Sequence, residues 1–263
     1  MQDRGINRIW NHSIASNSAN HQIVNDMKAR AWVVSALALL FLNLAALSAG
    51  GAALAQSAPK LSQGDTLDVS QLSCRKLDAF VRASDIGHLA AIQIWFYGMT
   101  SGTHAGMKAM RGGLPPELPF RLTNGFARKT IEHLAYRCGT DMNQPLVKAY
   151  MTFSKDETAG LSDEGIGDQT PYLKGTFDFD PSTLSCGAWI ALNDNHNEVS
   201  QMLELYWLSG LGRGYDIVAD KKDEGRDQFS DQFATGARDI LNEKCTAAQN
   251  EPVWRTFLIG RGL

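Results

Sequence analysis

Apolar residues in this chain recur three and four positions apart, and runs of alternating β-branched residues are few. That rhythm predicts helices rather than strands. Leu77 and Phe80 mark a short helix over Arg75–Val81. Ser84 or Asp85 caps a longer one carrying Leu89, Ile92, Phe96 and Met99, with Gly102 and Gly106 expected to end it. A Gly/Pro-rich loop spans Arg111 to Pro119. Thr123 or Asn124 opens a third helix with Phe126, Thr130, Ile131 and Leu134 on one side, closing near Cys138. Asn143 and Pro145 mark the start of a fourth through Met151. The pattern then returns. Cys186–Leu192 predicts a helix with Trp189 and Leu192 in the places of Leu77 and Phe80. Caps within Asn193–Asn195 start a second helix through Leu203, Tyr206 and Trp207, which Gly210, Gly212 and Gly214 are expected to break. Asp220–Asp227 is a charged loop. Phe233, Ala237, Ile240 and Leu241 mark a third helix up to Cys245, and the last runs from Pro252 to about Ile259. Ser154–Ser182 is rich in Gly, Asp, Ser and Pro, has little apolar periodicity, and is read as a linker.

The return is not only one of pattern. Leu72-Ser73-Cys74 recurs as Leu184-Ser185-Cys186. Trp95 and Gly98 follow Cys74 by 21 and 24 residues, and Trp207 and Gly210 follow Cys186 by the same steps. Gly102 and Gly214 continue the match. Cys138 and Cys245 close the copies, and Asn143-Gln144-Pro145 and Asn250-Glu251-Pro252 follow them. Two copies of one module explain these offsets. The expected fold is all-α: two small tandem modules of about four helices, at 70–153 and 182–261, joined by a linker at 154–181. Four cysteines permit three pairings, and repeat symmetry selects Cys74–Cys138 and Cys186–Cys245.

The chain opens with an export pattern. Lys28 and Arg30 precede an apolar run from Ala31 to about Ala46, and Ala53-Leu54-Ala55 offers the small residues a signal peptidase accepts. The expected signal peptide is 27–55, cleaved before Gln56. Residues 1–26 are polar and unlike a leader, and Met27 directly precedes the basic residues, so Met1 and Met27 are both candidate starts, the second making 1–26 a non-native extension. Export to an oxidising compartment lets the cysteines pair. The first 55 residues hold four of the 25 basic and two of the 28 acidic side chains, which leaves 21 against 26 and a net charge of −5. With no basic stripe, nucleic acid is a poor candidate partner.

No catalytic constellation is visible, and no catalytic, cofactor-binding or metal residue is assigned. His88, His104, His133 and His196 are far from one another and from the cysteines, whereas zinc sites favour close ligand pairs. Asp194-Asn195-His196-Asn197-Glu198 lacks the glycine and distal glutamate of a calcium loop. Gly210-Leu211-Gly212-Arg213-Gly214 follows a helix rather than a strand, unlike a phosphate loop. Ser73 and Ser101 have no base beside them. The aromatics Trp95-Phe96-Tyr97 and Tyr206-Trp207 are the stronger signal. Three adjacent aromatics cannot share one helix face, so some must meet the other module or a client.

Ser185-Cys186-Gly187-Ala188-Trp189-Ile190-Ala191-Leu192-Asn193, with the aromatic–Trp helix, Cys245 and the Asn-x-Pro after it, resembles the HdeA/HdeB family of periplasmic acid-stress chaperones. Cys74, Phe80, Trp95, Cys138, Asn143 and Pro145 carry the likeness in the first copy. The resemblance implies a disulfide-pinned helical fold, folded near neutral pH, that loosens in acid and holds unfolding periplasmic proteins without ATP. Below about pH 3 most carboxylates are protonated. The 21 Lys and Arg with four His then give about +25, and self-repulsion opposes a compact state. The tandem copies suggest an intramolecular pseudo-dimer, with Trp95 and Trp207 near its contact. The cysteine pair and aromatic–glycine helix also resemble the Rap1a/Tai-type immunity proteins, which implies instead a secreted protein that neutralises one partner.

Overall fold

A computed structural model describes residues 67–151, 168–172, 180–195, 198–219 and 229–262. The expected leader, most of the expected linker and the Asp220–Asp227 loop lie outside the described residues. Those described belong to one compact unit, Gln56–Leu263. They form eight α-helices, two 3₁₀ turns and no strand.

The first half holds α1 (Cys74–Arg82), α2 (Ile86–Ala109), α3 (Asn124–Cys138) and α4 (Leu146–Met151). The second holds α5 (Cys186–Asp194), α6 (Glu198–Val218), α7 (Asp231–Cys245) and α8 (Val253–Gly260). The 3₁₀ turns Val69–Gln71 and Pro181–Thr183 lead into them. Short polar side chains set several starts. Asp85 accepts from the His88 N–H, Thr123 from Phe126, Ser185 from Ala188 and Ser230 from Phe233, which satisfies amides that have no partner inside a helix.

The halves repeat each other contact by contact. Cys74 N–H donates to the Gln144 carbonyl at 3.0 Å and Leu146 N–H to Leu72 at 2.7 Å; Cys186 N–H donates to Glu251 at 2.9 Å and Val253 N–H to Leu184 at 2.9 Å. Isolated bridges pair Ser73 with Pro145 and Ser185 with Pro252. Asp68 accepts from the N–H and hydroxyl of Ser70, and Asp180 from those of Ser182. Disulfides join Cys74 to Cys138 and Cys186 to Cys245, with Cα atoms 5.2 and 4.8 Å apart. Each ties the start of a half's first helix to the end of its third.

Three sequence expectations need correction. Gly102 and Gly106 do not end α2, and Gly210, Gly212 and Gly214 do not break α6; both helices run straight through. Asn193 and Asp194 lie inside α5 and Asn195 is its C-cap, so none of them starts α6. The glycines are tolerated because α2 and α6 pack backbone against backbone. A Cβ on Gly98 would lie 2.0 Å from the Trp207 carbonyl oxygen, and one on Gly102 1.9 Å from that of Leu211. On the facing helix, a Cβ on Gly210 would lie 2.0 Å from the Trp95 oxygen and one on Gly214 2.0 Å from that of Met99. A helix interior loses about 1 kcal/mol for each glycine relative to alanine. Here that loss allows the two helices an approach that any side chain would block.

Candidate functional site

Along α2, Gly98, Gly102 and Gly106 meet Trp207, Leu211 and Tyr215 in order, so α2 and α6 run parallel. The contacts are reciprocal at an offset of 112: Gly98 sits on Trp207 while Gly210 sits on Trp95, and Gly102 on Leu211 while Gly214 sits on Met99. Such mutual pairing is the mark of an isologous, two-fold contact, here within one chain.

The five aromatics expected at a client or inter-module surface are all within 1% of full burial. None is exposed to a client in this state. Trp95 Nε1 donates to Ser209 Oγ of α6 at 3.1 Å. The Tyr97 and Trp207 rings lie 6.0 Å apart across the seam. Phe96 turns back into its own half and stacks on Tyr150 at 4.4 Å. Tyr206 stacks on Phe229 of its own half at 3.9 Å, while its hydroxyl accepts the Leu67 N–H of the first. Burial pushes the Tyr206 and Tyr150 hydroxyls up to about 12.

Asp180 is a second tie between the halves that the pattern of the sequence does not single out. Besides capping its own 3₁₀ turn, it accepts from the Tyr97 hydroxyl at 3.3 Å and the Leu122 N–H at 3.2 Å. Burial first, and the Asp180 charge second, hold the Tyr97 hydroxyl well above its ordinary value. The described part of the expected linker is docked rather than free: Asp168 and Thr170 accept from the Gly125 and Asn124 amides at the start of α3. Glu204 is another residue that the sequence pattern passes over. It is fully buried on α6, and among the described residues neither carboxylate oxygen has a hydrogen-bond partner. Setting the copies side by side exposes it, since the matching residue of α2 is Ile92.

The described histidines are scattered. His88 stacks on Phe80 and shares a 2.6 Å contact with Asp85, His104 lies edge-on to Phe120, and His133 lies near Tyr150; His196 is outside the described residues. Among the described residues no group of three or more His, Cys, Asp and Glu is placed to hold a metal, and no helix is long and apolar enough to cross a membrane. Two surface hollows of about 430 and 200 Å³ are present. The larger lies between Ser70, Pro145, Lys148 and Met151 of the first half and Arg213 of α6. Against protein-family models, curated proteins and solved structures, this chain finds no match.

Proposed function

We propose that this chain is an exported, ATP-independent holdase that exposes the α2–α6 seam in acid and so binds unfolding proteins of the periplasm. The observation that carries the reading is the placement of the cross-links. Each disulfide closes within one half, while the described contacts between the halves are non-covalent. Separation along the seam uncovers Trp95, Tyr97 and Trp207 and leaves each half knitted. The driving force is charge. Protonating the carboxylates leaves about +25 on the chain after the leader, and that repulsion acts on a compact state it does not act on at neutrality. In this reading the glycine seam is the closed form of an intramolecular dimer.

Light scattering of several aggregating client proteins, measured from pH 2 to 7 with and without reductant, tests this. Suppression confined to acid, shared across clients and abolished by reductant supports the holdase. No suppression at any pH removes it, and tight binding of a single partner at neutral pH replaces it with a secreted partner-neutralising protein.

A further inference from the structure

Glu204 sits where the second copy departs from the first. Its counterpart Ile92 is an ordinary apolar core residue, 0% exposed. Glu204 is equally buried, and among the described residues neither of its oxygens has a hydrogen-bond partner. The charged group that acts on it is Asp180, in the turn before α5. Tyr97 of α2 faces that same Asp180, and Arg121 of the loop before α3 faces Tyr97. Among the described residues no charge from α5, α7 or α8 reaches Glu204. Among the described residues no cation reaches a carboxylate here, its burial keeps it from solvent, and Asp180 adds a second negative charge. That environment favours the neutral acid.

We propose that Glu204 is a proton-uptake site that stabilises the second half as the pH falls. Burial, with Asp180 second, holds its carboxyl well above the ordinary value. Linkage sets the sign. Below the unfolded value near 4.5, both states carry the proton and nothing is lost. As pH rises from there towards the folded value, the unfolded chain releases the proton that the folded chain keeps, and stability falls. Over the window from its raised folded value down to about pH 4.5, Glu204 therefore works against the general acid repulsion, and it does so in one half only. The assignment does not rest on the chaperone reading: a chain with no holdase activity would still show it, and a holdase without it would still suppress aggregation.

The test is the urea midpoint of the oxidised protein from pH 4 to 8, for wild type, E204Q and E204I. The expected gap between variant and wild type opens near pH 4.5 and widens upwards, with the relative unfolding equilibrium changing about tenfold per pH unit inside the window. A gap that stays constant with pH, or variants that are less stable at neutral pH, overturns the assignment. Should neither variant fold, carboxyl ¹³C NMR of Glu-labelled wild type decides it. One glutamate titrating far above its ordinary range supports the site, and all of them titrating at or below that range overturn it.

Discussion

Gly98, Gly102, Gly210 and Gly214 each have a partner carbonyl within about 2 Å of where a Cβ would stand. Because that partner is backbone in a packed helix, it has nowhere to go. Alanine at any one of them is expected to cost about 3 kcal/mol or more, read from the urea midpoint. Gly236 is the control. It lies exposed within α7 with nothing within 4 Å of its would-be Cβ, so alanine there is expected to stabilise by about 0.5–1 kcal/mol. The sequence carried this signal in the spacing of four, but glycine scored one residue at a time reads as a helix end. Its cost is local, while the compensating contact comes from a distant segment, as with Gly98 on Trp207. His104 offers a residue-scale pH effect opposite to that of Glu204. Burial, then Lys108, holds its imidazole below the usual value of 6.5. Its contribution is complete above about 6.5 and is lost as the pH falls through the lowered folded value. Replacing it with Gln is expected to flatten the stability profile below about pH 6.5, and a proton NMR titration should place the ring below 6.5.

At the scale of elements, helix starts were legible where a short polar side chain stands before an apolar stripe, as at Asp85 and Thr123, because capping is a local event. The ends at Cys138, Met151 and Cys245 were legible too, but those of α2 and α6 were not, since the point at which either stops depends on the helix packed against it. Asp180 shows the same limit: its side chain acts as an ordinary turn cap within its own half, and only the fold brings Tyr97 and Leu122 to its carboxylate. The cysteines were legible because, of the three pairings, only one closes a bond inside each copy of the repeat. They close separations of 64 and 59 residues. In the chain-entropy account each contributes roughly 4 kcal/mol, comparable to the whole stability of a small domain. Replacing Cys74 with Cys138, or Cys186 with Cys245, by paired alanines is expected to lower stability by about that amount. Since neither bond crosses the seam, hydrogen exchange should quicken first in the half that has lost its bond.

Across the whole molecule the two kinds of constraint are separated in space: covalent bonds within halves, and close packing, Trp95–Ser209 and Asp180–Tyr97 between them. A force that acts on all charges at once should therefore open the molecule where nothing covalent resists. The four tryptophans beyond residue 55 make this measurable. Trp95 and Trp207 line the seam, Trp189 is buried in the second half against Asn242, Trp254 borders a hollow shared with Leu118 and Arg121 of the first half, and all four are at most 1% exposed. Subtracting the spectrum of each Trp→Phe variant from that of the wild type isolates one indole. On acidification, the Trp95 and Trp207 contributions are expected to shift to the red at a higher pH than that of Trp189. The lag has its source in the Cys186–Cys245 bond that pins the second half, so paired alanines at those cysteines should shorten it. Glu204 carries its proton in both states below about 4.5, so E204I should leave the lag unchanged there. If all four indoles shift together, the chain unfolds as one body and the seam is not a hinge. If none shifts down to pH 2, acid does not open it at all, and the buried aromatics are core and nothing more.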